Sequence, residues 1–437
     1  MALSGIQIYK LLPQTNCKEC GFPTCLAFAM KLAAKQVELS ACPHVTEESK
    51  KQLAESSAPP IRLVTLKAGT EVKAGNEVVL FRHDKTFFNK PGLFVRFKAS
   101  DPDLASKVAA ADSYKANYVG MDLSLDGFAI EADGDLAGAV KIVRQNSKRP
   151  LILIGQDPAQ LDSALAALAG EKALLCTANA SNIEPMSDLA AKHRAALAIT
   201  ADTLDALADV AQKAKERGVD DVVLDFGGGG LSAWLTRSTQ VRRLAIKSNF
   251  RALGHPVVAF PCEAADEAVA AAQAIAKYAG FIVLSEARPE LLYPLLVLRE
   301  NIYTDPQKPI QVQPGLYEIN SPTAESPVLV TTNFSITYFA VANEVEGSGL
   351  PAWLLVTDAE GMSVLTAWAA GKFDAERIAK AIKGFDVAAK ATNKRMVLPG
   401  HVAVLSGEVE EELPDWKVRV GPREAVDLPA FMKAALN

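Results

Sequence analysis

The stretch LILIGQDPAQLDSALAALAGEKALLCTA, residues 151–178, decides the fold of the central part of this chain. It opens with a short apolar run at Leu151, continues through an alanine-rich segment, and ends in a second apolar run at Ala173, 22 residues later. Short apolar runs predict buried strands, and the alanine-rich segment between them predicts a helix. The stretch therefore has the form of one βα unit followed by the next strand.

Runs of the same kind continue on both sides of this stretch, between Pro91 and about Asp305. They begin at residues 93, 118, 151, 173, 196, 222, 256 and 281, with the sequences LFVRF, YVGMDL, LILIG, ALLCTA, ALAITA, VVLDFG, PVVAF and FIVLS. Eight βα units at this spacing predict a (β/α)8 TIM barrel. We expect the segment Leu125–Gly138 to be an insertion and the helix Pro289–Tyr303 to close the barrel.

Two proline-rich breaks divide the chain, one at Pro59-Pro60 and one in TDPQKPIQVQPG, residues 304–315. After the second break, strand-like runs VLVTTNF, WLLVTD, RMVLPG, VAVLSG and VRVGP alternate with helical segments. This pattern predicts a small doubly wound α/β domain whose ligand crevice lies at the carboxyl ends of its strands. The expected parts are a cysteine-rich domain at 1–57, a β connector at 58–90, the barrel at 91–308 and the α/β domain at 309–437.

Composition excludes several classes of protein. The formal net charge is −5, charged residues make up 22% of the 437 residues, and no lysine- or arginine-rich block stands out. The electrostatic field of a chain with this charge distribution does not favour binding to nucleic acid or to an anionic membrane. No apolar run is long enough to span a bilayer, and the first residues lack the charge and apolar core of a signal peptide. We therefore expect a cytoplasmic protein.

Four of the six cysteines, Cys17, Cys20, Cys25 and Cys42, fall within 26 residues, in the pattern C-x2-C-x4-C-x16-C. In a reducing compartment a dense cysteine cluster indicates a metal site rather than disulfides. Pro43 follows the last cysteine, as in bacterial ferredoxins, and the spacing favours a 4Fe–4S cluster. Structural zinc, which usually takes two close pairs of ligands, and four unliganded thiols are the alternatives.

Other candidate sites are weaker. Cys176 and Cys262 lie in apolar segments and are expected to be small buried residues. Gly227–Gly230 follow a strand without the Lys-Ser/Thr of a P-loop, so a flexible loop facing a partner or ligand is favoured. Asp225, at the end of that strand, is a catalytic candidate without an identified acid or base partner. Serine, threonine and glycine clusters in the last domain indicate either a cofactor crevice or ordinary turns.

A set of longer strings gives a more specific indication. The cysteine motif, FRHDKTFFNKPG, LRENIYTDPQKPIQV, TTNFSITYF, SVLTAWAAGKF and LPGHVAVLSG occur in that order. Together they resemble the large (gamma) subunits of the corrinoid/iron–sulfur proteins of the reductive acetyl-CoA (Wood–Ljungdahl) pathway, over essentially the whole chain. The resemblance implies a 4Fe–4S domain, a TIM barrel and a C-terminal corrinoid-binding domain, paired with a small subunit in a heterodimer.

The resemblance also implies a function. Corrinoid cobalt(I) accepts a methyl group from methyltetrahydrofolate, which a separate methyltransferase delivers, and methyl-cobalt(III) donates it to CO dehydrogenase/acetyl-CoA synthase. The 4Fe–4S cluster reduces cobalt(II) that forms by oxidation. The chain would thus be a methyl carrier in methyltransferase reactions of anaerobic carbon fixation, with no catalytic residue of its own. A pterin-dependent methyltransferase barrel and a ferredoxin-like electron carrier are the alternatives.

The corrinoid contacts implied by the matching strings lie in the C-terminal domain: Thr332, Ser335, Ser363, Val364, Leu365, Thr366, Gly400 and Ala403. None of the five histidines has an aspartate two residues before it, so the D-x-H-x-x-G motif of many cobalamin proteins is absent from the sequence. The resemblance implies a cobalamin-type corrinoid bound base-off, without a histidine ligand, and places Thr366 near the lower face of cobalt. The alternative role for Thr366 is to cap the helix that it enters.

Overall fold

The computed structural model describes residues 5–33, 36–46, 49–50, 53, 59–81, 84, 87, 89–304 and 310–435. Contacts divide the chain into two compact units. The first comprises Met1–Tyr114 and Leu125–Tyr303, and the second comprises Lys115–Ser124 and Thr304–Asn437. The domain boundaries expected at 57/58 and 308/309 lie outside the described residues.

The strands of the described chain are, in order, β1 Val64–Lys67, β2 Glu71–Ala74, β3 Gly92–Lys98, β4 Ala116–Tyr118, β5 Met121–Leu123, β6 Gly127–Glu131, β7 Leu151–Ile154, β8 Leu174–Ala178, β9 Ala196–Thr200, β10 Val222–Asp225, β11 Val257–Ala259, β12 Ala279–Leu284, β13 Gly315–Ile319, β14 Val328–Thr332, β15 Ala352–Thr357, β16 Arg395–Leu398 and β17 Lys417–Val420. The α-helices are Gly5–Leu11, Cys25–Ala33, Leu104–Ser113, Leu136–Asn146, Pro158–Ala166, Ile183–His193, Leu204–Glu216, Gly230–Lys247, Glu267–Ala276, Pro289–Tyr303, Ser335–Ser348, Val364–Ala369, Ala375–Gly384, Val387–Lys390, Ser406–Glu412 and Leu428–Ala435.

Within the described residues, eight parallel strands form a closed barrel in the order β3, β6, β7, β8, β9, β10, β11 and β12. Pairing of Phe281 in β12 with Gly92 in β3 closes the ring. Alternate strand residues such as Phe94, Ile152 and Val223 fill its interior and are fully buried. The predicted TIM barrel is therefore confirmed, and the helix Pro289–Tyr303 follows the last strand as expected.

The antiparallel pair β1–β2 closes the amino-terminal end of the barrel. Val64, Leu66, Val72 and Ala74 belong to the same buried core as the barrel interior. Lys67, which precedes the turn, exchanges two backbone hydrogen bonds with Lys172 just before β8, at 2.9 and 2.8 Å. The first part of the predicted connector, β1 and β2, thus covers the amino-terminal end of the barrel and packs against its interior.

The prediction for the second barrel strand was wrong. YVGMDL does not enter the barrel: β4 and β5 form an antiparallel hairpin around a two-residue turn in which Val119 and Gly120 have φ of 46° and 82°. Positive φ at both turn residues matches the right-handed twist of a hairpin. The second barrel strand is β6, inside the segment Leu125–Gly138 that had been assigned to an insertion. The inserted segment is the hairpin itself, and it belongs to the second unit.

In the described part of the second unit, five strands form one sheet in the order β13, β15, β14, β16, β17. Strands β14 to β17 are parallel, and β13 pairs antiparallel with β15 at the edge. The sequence did not predict β13. It also assigned VAVLSG to a strand, whereas Gly400–Leu405 form a 3₁₀ helix followed by Ser406–Glu412. The segment is kinked at Val402, whose φ of −118° and ψ of 32° are not helical; Val402 and Leu405 are buried, while Val404 between them is exposed.

In the part of the chain that the structure describes, no helix has the length and apolar character needed to cross a membrane.

Candidate cofactor sites

A turn, a helix end and a 3₁₀ helix place the four clustered cysteines. Gly21, at φ 81°, donates its N–H to the Lys18 carbonyl at 2.9 Å and closes the turn that carries Cys17 and Cys20. Cys25 is the first residue of the helix Cys25–Ala33, where the positive end of the helix dipole favours an anionic ligand. Cys42 follows the 3₁₀ helix Leu39–Ala41 and donates its N–H to the Leu39 carbonyl at 3.1 Å.

Three of these cysteines share one apolar environment. Cys25 and Cys42 are each 6% exposed in a cluster that includes Ile8 and Phe28, and Cys20 packs against it. Cys17 is exposed. A dry shell around thiolate ligands controls solvent access and redox potential. The donor chemistry and the shell therefore fit a thiolate-ligated cluster.

Asn16 ties the loop to the helix end. Its Oδ1 accepts the Cys25 N–H at 2.8 Å, and its own N–H donates to Cys25 Sγ at 3.4 Å. Hydrogen bonds to ligand sulfurs are one of the features that set the potential of an iron–sulfur cluster.

A second donor set overlaps the first. Ligand atoms of Cys17, Glu19 and His44 lie within 4.8 Å of one another, and His44 Nε2 is 2.9 Å from Glu19 Oε2. Sulfur, oxygen and imidazole donors together are a combination that zinc accepts. The zinc alternative is thus open, and metal analysis distinguishes it from the four-cysteine cluster.

The second site is a cleft of about 330 Å³ at the carboxyl ends of the C-terminal strands. Strand β14 pairs with β16 at Val328–Met396 and Leu329–Val397 and, in the described chain, at no later residue. The last residues of β14 therefore separate from β16, and a crevice opens between the two strands. β15 and β16 lie on opposite sides of β14, so the crevice is at the point where the strand order reverses, the usual ligand position in such sheets.

Two buried threonines at this point have unsatisfied hydroxyl groups. Thr331 and Thr332 are fully buried, and neither Oγ1 has a hydrogen-bond partner among the described residues. By contrast, Thr357 at the end of β15 donates its hydroxyl to the Thr331 carbonyl at 3.1 Å. An unsatisfied buried hydroxyl costs about 1–3 kcal/mol, so a ligand with polar substituents would restore a missing interaction here. This observation fits a bound cofactor in the crevice.

Exposed apolar side chains occur at the cleft and in nearby segments of the chain. Ile336 and Leu365 line the cleft and are 69% and 45% exposed, and Val404 and Val426, outside its lining, are 69% and 66% exposed. They come from the four segments that follow the parallel strands. Large exposed apolar side chains beside a partly polar cleft are typical of a surface that a ligand or partner covers.

The residues expected to contact a corrinoid have different positions relative to this cleft. Ser363, Val364 and Leu365 line it. Thr332 lies at the end of β14, and Ser335 begins the helix Ser335–Ser348. These two residues are outside the cleft lining, and so are the remaining three, Thr366, Gly400 and Ala403, although Thr331, Ile336, Pro399 and His401 beside them are part of it.

Gly400 allows two strand ends to approach. A Cβ atom on Gly400 would lie 2.6 Å from the Gly421 carbonyl oxygen, so no side chain fits between the segments that follow β16 and β17. A larger residue would push these two walls of the cleft apart.

The capping role considered for Thr366 was wrong. The helix Val364–Ala369 has Ser363 at its N-cap position, and Thr366 lies inside its first turn. The hydroxyl groups of Ser363 and Thr366 are 3.0 Å apart and form a hydrogen bond with each other. Thr366 is exposed, so its hydroxyl is accessible to a ligand on that side of the helix.

Several cleft residues were missed by the sequence analysis. Thr331, Ile336, His401 and Arg423 line the cleft, and His401 Nε2 is 3.9 Å from Glu424 Oε1. The alternation of side chains along β14 was the available signal for Thr331, since its neighbour Thr332 points to the opposite face.

The two distant cysteines are located as expected of packing residues. Cys176 is fully buried in the barrel core, and Cys262 packs against it from the 3₁₀ helix that follows β11. Burial raises the pKa of the Cys262 thiol to about 12. Neither group is poised to act as a thiolate.

A cysteine-rich module, a TIM barrel and a doubly wound domain with an open carboxyl-end cleft define a modular α/β protein with two candidate cofactor sites. Comparison with known proteins makes this class specific. A family model described as CO dehydrogenase/acetyl-CoA synthase delta subunit matches residues 64–432, and a model for an Fe-S cluster matches residues 12–44.

Curated relatives match over the full length. The corrinoid/iron-sulfur protein large subunit of Moorella thermoacetica is 42% identical over 100% of both chains. The acetyl-CoA decarbonylase/synthase complex subunit gamma 1 of Methanosarcina mazei is 36% identical, and the gamma subunit of Archaeoglobus fulgidus is 35% identical, each over 98% of both chains. The chain therefore belongs to the family of these large and gamma subunits, as its sequence strings indicated.

Among solved structures, a dihydropteroate synthase from Thermus thermophilus overlaps with 54% of this chain and 98% of its own, at 20% identity and a TM-score of 0.35. An overlap at this TM-score carries no argument about function.

Proposed function

We propose that this chain is the methyl-carrying large subunit of a corrinoid/iron–sulfur protein, which accepts a methyl group from methyltetrahydrofolate and passes it to acetyl-CoA synthase. Family membership over the full length supports the proposal. The observation that carries it is the cleft lined by Thr331, whose buried hydroxyl group has no partner among the described residues. When bound, a corrinoid supplies the cobalt ion that holds the methyl group.

The residues of the cleft have separate roles in this proposal. Thr331 would hydrogen-bond a polar substituent of the corrinoid ring, and Thr332 would lie beside it at the end of β14. Ser363, Val364 and Leu365 would contact the ring where the helix Val364–Ala369 begins, and Thr366 would hold its hydroxyl near the lower axial position. Ser335, Gly400 and Ala403 would shape the walls, because small residues there allow the backbone to approach the ligand closely.

A second subunit would complete the site. Ile336 and Leu365 line the cleft with exposed apolar side chains, and Val404 and Val426 expose further apolar surface in the segments after β16 and β17. We propose that the small subunit covers this exposed apolar surface in a heterodimer. A methyltetrahydrofolate methyltransferase and CO dehydrogenase/acetyl-CoA synthase would be the transient partners, since a carrier has to expose its cargo to a donor and to an acceptor.

The cysteine module would supply electrons. Cys17, Cys20, Cys25 and Cys42 would hold a 4Fe–4S cluster, and the apolar shell of Ile8 and Phe28 would keep water from the sulfurs. This gives the module a role in returning oxidised cobalt to the reactive state. In this proposal the base-off corrinoid has no histidine ligand.

Corrinoid retention tests the proposal. The anaerobically purified chain, with and without the small subunit, is mixed with cobalamin, desalted, and measured by visible absorbance. We expect about one corrinoid per heterodimer and much less on the isolated chain. A heterodimer that retains its iron and sulfide but no corrinoid would support the electron-carrier alternative and refute the carrier role.

Methyl transfer provides the second test. With methyltetrahydrofolate and reductant, methylation of the bound corrinoid should require the separate methyltransferase. Methylation at the same rate without that enzyme would assign the reaction to this chain and support the alternative of a methyltransferase barrel.

A further inference from the structure

The exposed donors Cys17, Glu19 and His44 form a compact set on the surface of the cysteine module. Their ligand atoms lie within 4.8 Å of one another, and Glu19 Oε2 is 2.9 Å from His44 Nε2. In a tetrahedral zinc site, bonds of about 2.0–2.3 Å place neighbouring ligand atoms roughly 3.3–3.6 Å apart. The three donors are therefore close to the spacing that one metal ion needs.

Two separate loops bring these donors together. Cys17 and Glu19 lie in the turn that the Gly21 N–H closes on the Lys18 carbonyl at 2.9 Å. His44 approaches from a second loop, 25 residues after Glu19. Because the turn is held by its own backbone hydrogen bond, metal binding requires adjustment of side chains and not refolding of the module. A bound ion would thus join two loops whose side chains are already adjacent.

This three-donor set differs from the four-cysteine set in geometry and in exposure. Among the described residues, no three of the clustered cysteine sulfurs lie within 4.8 Å of one another, whereas these three donors do. His44 and Glu19 are 46% and 57% exposed and Cys17 is exposed, while Cys25 and Cys42 are each only 6% exposed. A hydrated ion therefore reaches the surface donors directly, whereas the cysteines would have to move together to share it.

The donor types select zinc. A thiolate, a carboxylate and a neutral imidazole are all common zinc ligands, whereas Mg²⁺ and Ca²⁺ prefer oxygen ligands alone. The thiolate and the carboxylate carry two negative charges, which match the charge of Zn²⁺. The ammonium group of Lys18, between them in the sequence, is exposed to solvent and so opposes binding only weakly. Zinc also forms stronger complexes than ferrous iron with the same donors.

We propose that Cys17, Glu19 and His44 bind one zinc ion in the cluster-free chain, and that zinc and the iron–sulfur cluster exclude each other. A water molecule is the fourth ligand, and the Cys17 thiol releases its proton on binding. The exclusion rests on the proposed function, in which the Cys17 thiolate is a ligand of the cluster. Zinc bound there removes one of the four cluster ligands, so assembly of the cluster has to precede exposure to zinc.

The zinc affinity of the full-length chain, freed of its cluster and kept reduced, tests the binding site. Zn²⁺ is titrated in competition with a chromophoric chelator, and we expect one high-affinity ion per chain. His44→Gln and Glu19→Gln should each weaken zinc binding at least about tenfold, because each removes a ligand. Both side chains are exposed, so neither substitution alters the core of the module.

Two controls separate this set from other zinc sites. Glu38→Gln removes an exposed carboxylate of the same module outside the three-donor set and should bind zinc as the parent does. Cys42→Ser removes a buried thiol of the four-cysteine set and should also leave the zinc affinity unchanged. Unchanged affinity in either His44→Gln or Glu19→Gln, or a loss of about tenfold in Cys42→Ser, would overturn the proposal.

Cluster assembly tests the exclusion. Ferrous iron and sulfide are added to the cluster-free chain with and without one equivalent of Zn²⁺, and bound iron is measured after desalting. Zinc should lower the iron bound by the parent from about four per chain to less than about one, whereas His44→Gln should still bind about four. Equal iron in the parent with and without zinc, or failure of His44→Gln to assemble the cluster without zinc, would refute the exclusion.

The zinc titration requires neither a corrinoid nor a cluster. A heterodimer that binds no corrinoid would therefore refute the carrier function and leave the zinc site standing. A cluster-free chain that binds no zinc would refute the zinc site and leave the carrier function standing.

Discussion

Thr331→Val should stabilise the corrinoid-free protein. Thr331 is fully buried, and its hydroxyl has no partner among the described residues, so the folded state carries the desolvation cost of that group. Valine has nearly the same shape and is equally suited to a strand. Removing an unsatisfied buried hydroxyl should raise the free energy of unfolding by about 1–3 kcal/mol. For a unit of this size, each kcal/mol corresponds to a shift of roughly 2–4 °C in Tm.

Thr357→Val is the matched control. Thr357 ends the neighbouring strand, is also buried, and donates its hydroxyl to the Thr331 carbonyl at 3.1 Å. Losing this hydrogen bond should lower the free energy of unfolding by about 0.5–1.5 kcal/mol. The two variants make the same chemical change at similar burial. If the free energy of unfolding rises for Thr331→Val and falls for Thr357→Val, the difference comes from the hydrogen-bond partner that the Thr331 hydroxyl lacks.

The assay is anaerobic thermal unfolding of the corrinoid-free and corrinoid-loaded heterodimer. In the loaded protein the gain from Thr331→Val should disappear, and corrinoid affinity should fall about tenfold, because the ligand loses one hydrogen bond. The reasoning is refuted if Thr331→Val destabilises the corrinoid-free protein as much as Thr357→Val does.

The remaining predictions concern the metal sites and pH. Cys20→Ala should lower iron and acid-labile sulfide from about four of each per chain, while Cys262→Ala keeps both, and stoichiometric zinc in the anaerobic parent would contradict the cluster. Thr366→Ala should shift the cobalt(II)/(I) midpoint potential or the cobalt(II) EPR spectrum at unchanged cluster content. His401→Ala should leave the nitrogen splitting of that spectrum unaltered. If instead only His401→Ala changes the spectrum, the residue at the lower face of the corrinoid is the histidine. Burial lowers the pKa of His255 to about 3, so the unfolded chain binds the extra proton as pH falls below about 6.5. The free energy of unfolding should then fall by up to about 1.4 kcal/mol per pH unit. Measured by denaturant unfolding, His255→Gln should lose about 2 kcal/mol less of it than the parent between pH 7 and pH 5. Equal losses would show that the imidazole is accessible to protons in the folded state.

The barrel could be predicted because seven of its strands are separated by long amphipathic helices. The assignment failed where two strand-like runs lie close together, YVGMDL at 118–123 and GFAIE at 127–131. Both are short and apolar, so periodicity alone does not say which of them enters the barrel. Burial decides it in the structure, since Phe128, Ala129 and Ile130 are fully buried and Asn117 and Asp122 in the hairpin are exposed.

The sequence predicts the residues of the two candidate sites with different precision. The cysteine spacing predicts a ligand set directly, because the side chains that would bind the metal are the residues that form the pattern. The cleft depends on where β14 separates from β16, a tertiary feature that the strings around Thr332 and Ser363 do not encode. The sequence therefore indicated segments that border the cleft, but it selected Thr332 and not Thr331, which lines the cleft from the other face of the sheet.

The hairpin β4–β5 affects how the protein is made. Val119 packs in one apolar core with Val312, Ile319 and Leu329, so the second unit is assembled from two distant parts of the chain. About 180 residues separate Ser124 from Thr304. At ribosomal rates of about 5–20 residues per second, the hairpin waits about 10–40 s for the segments that cover it. The C-terminal domain is thus not one continuous segment of the chain. A fragment that starts at residue 309, or a gene fusion that exchanges this region alone, would lack part of its own core.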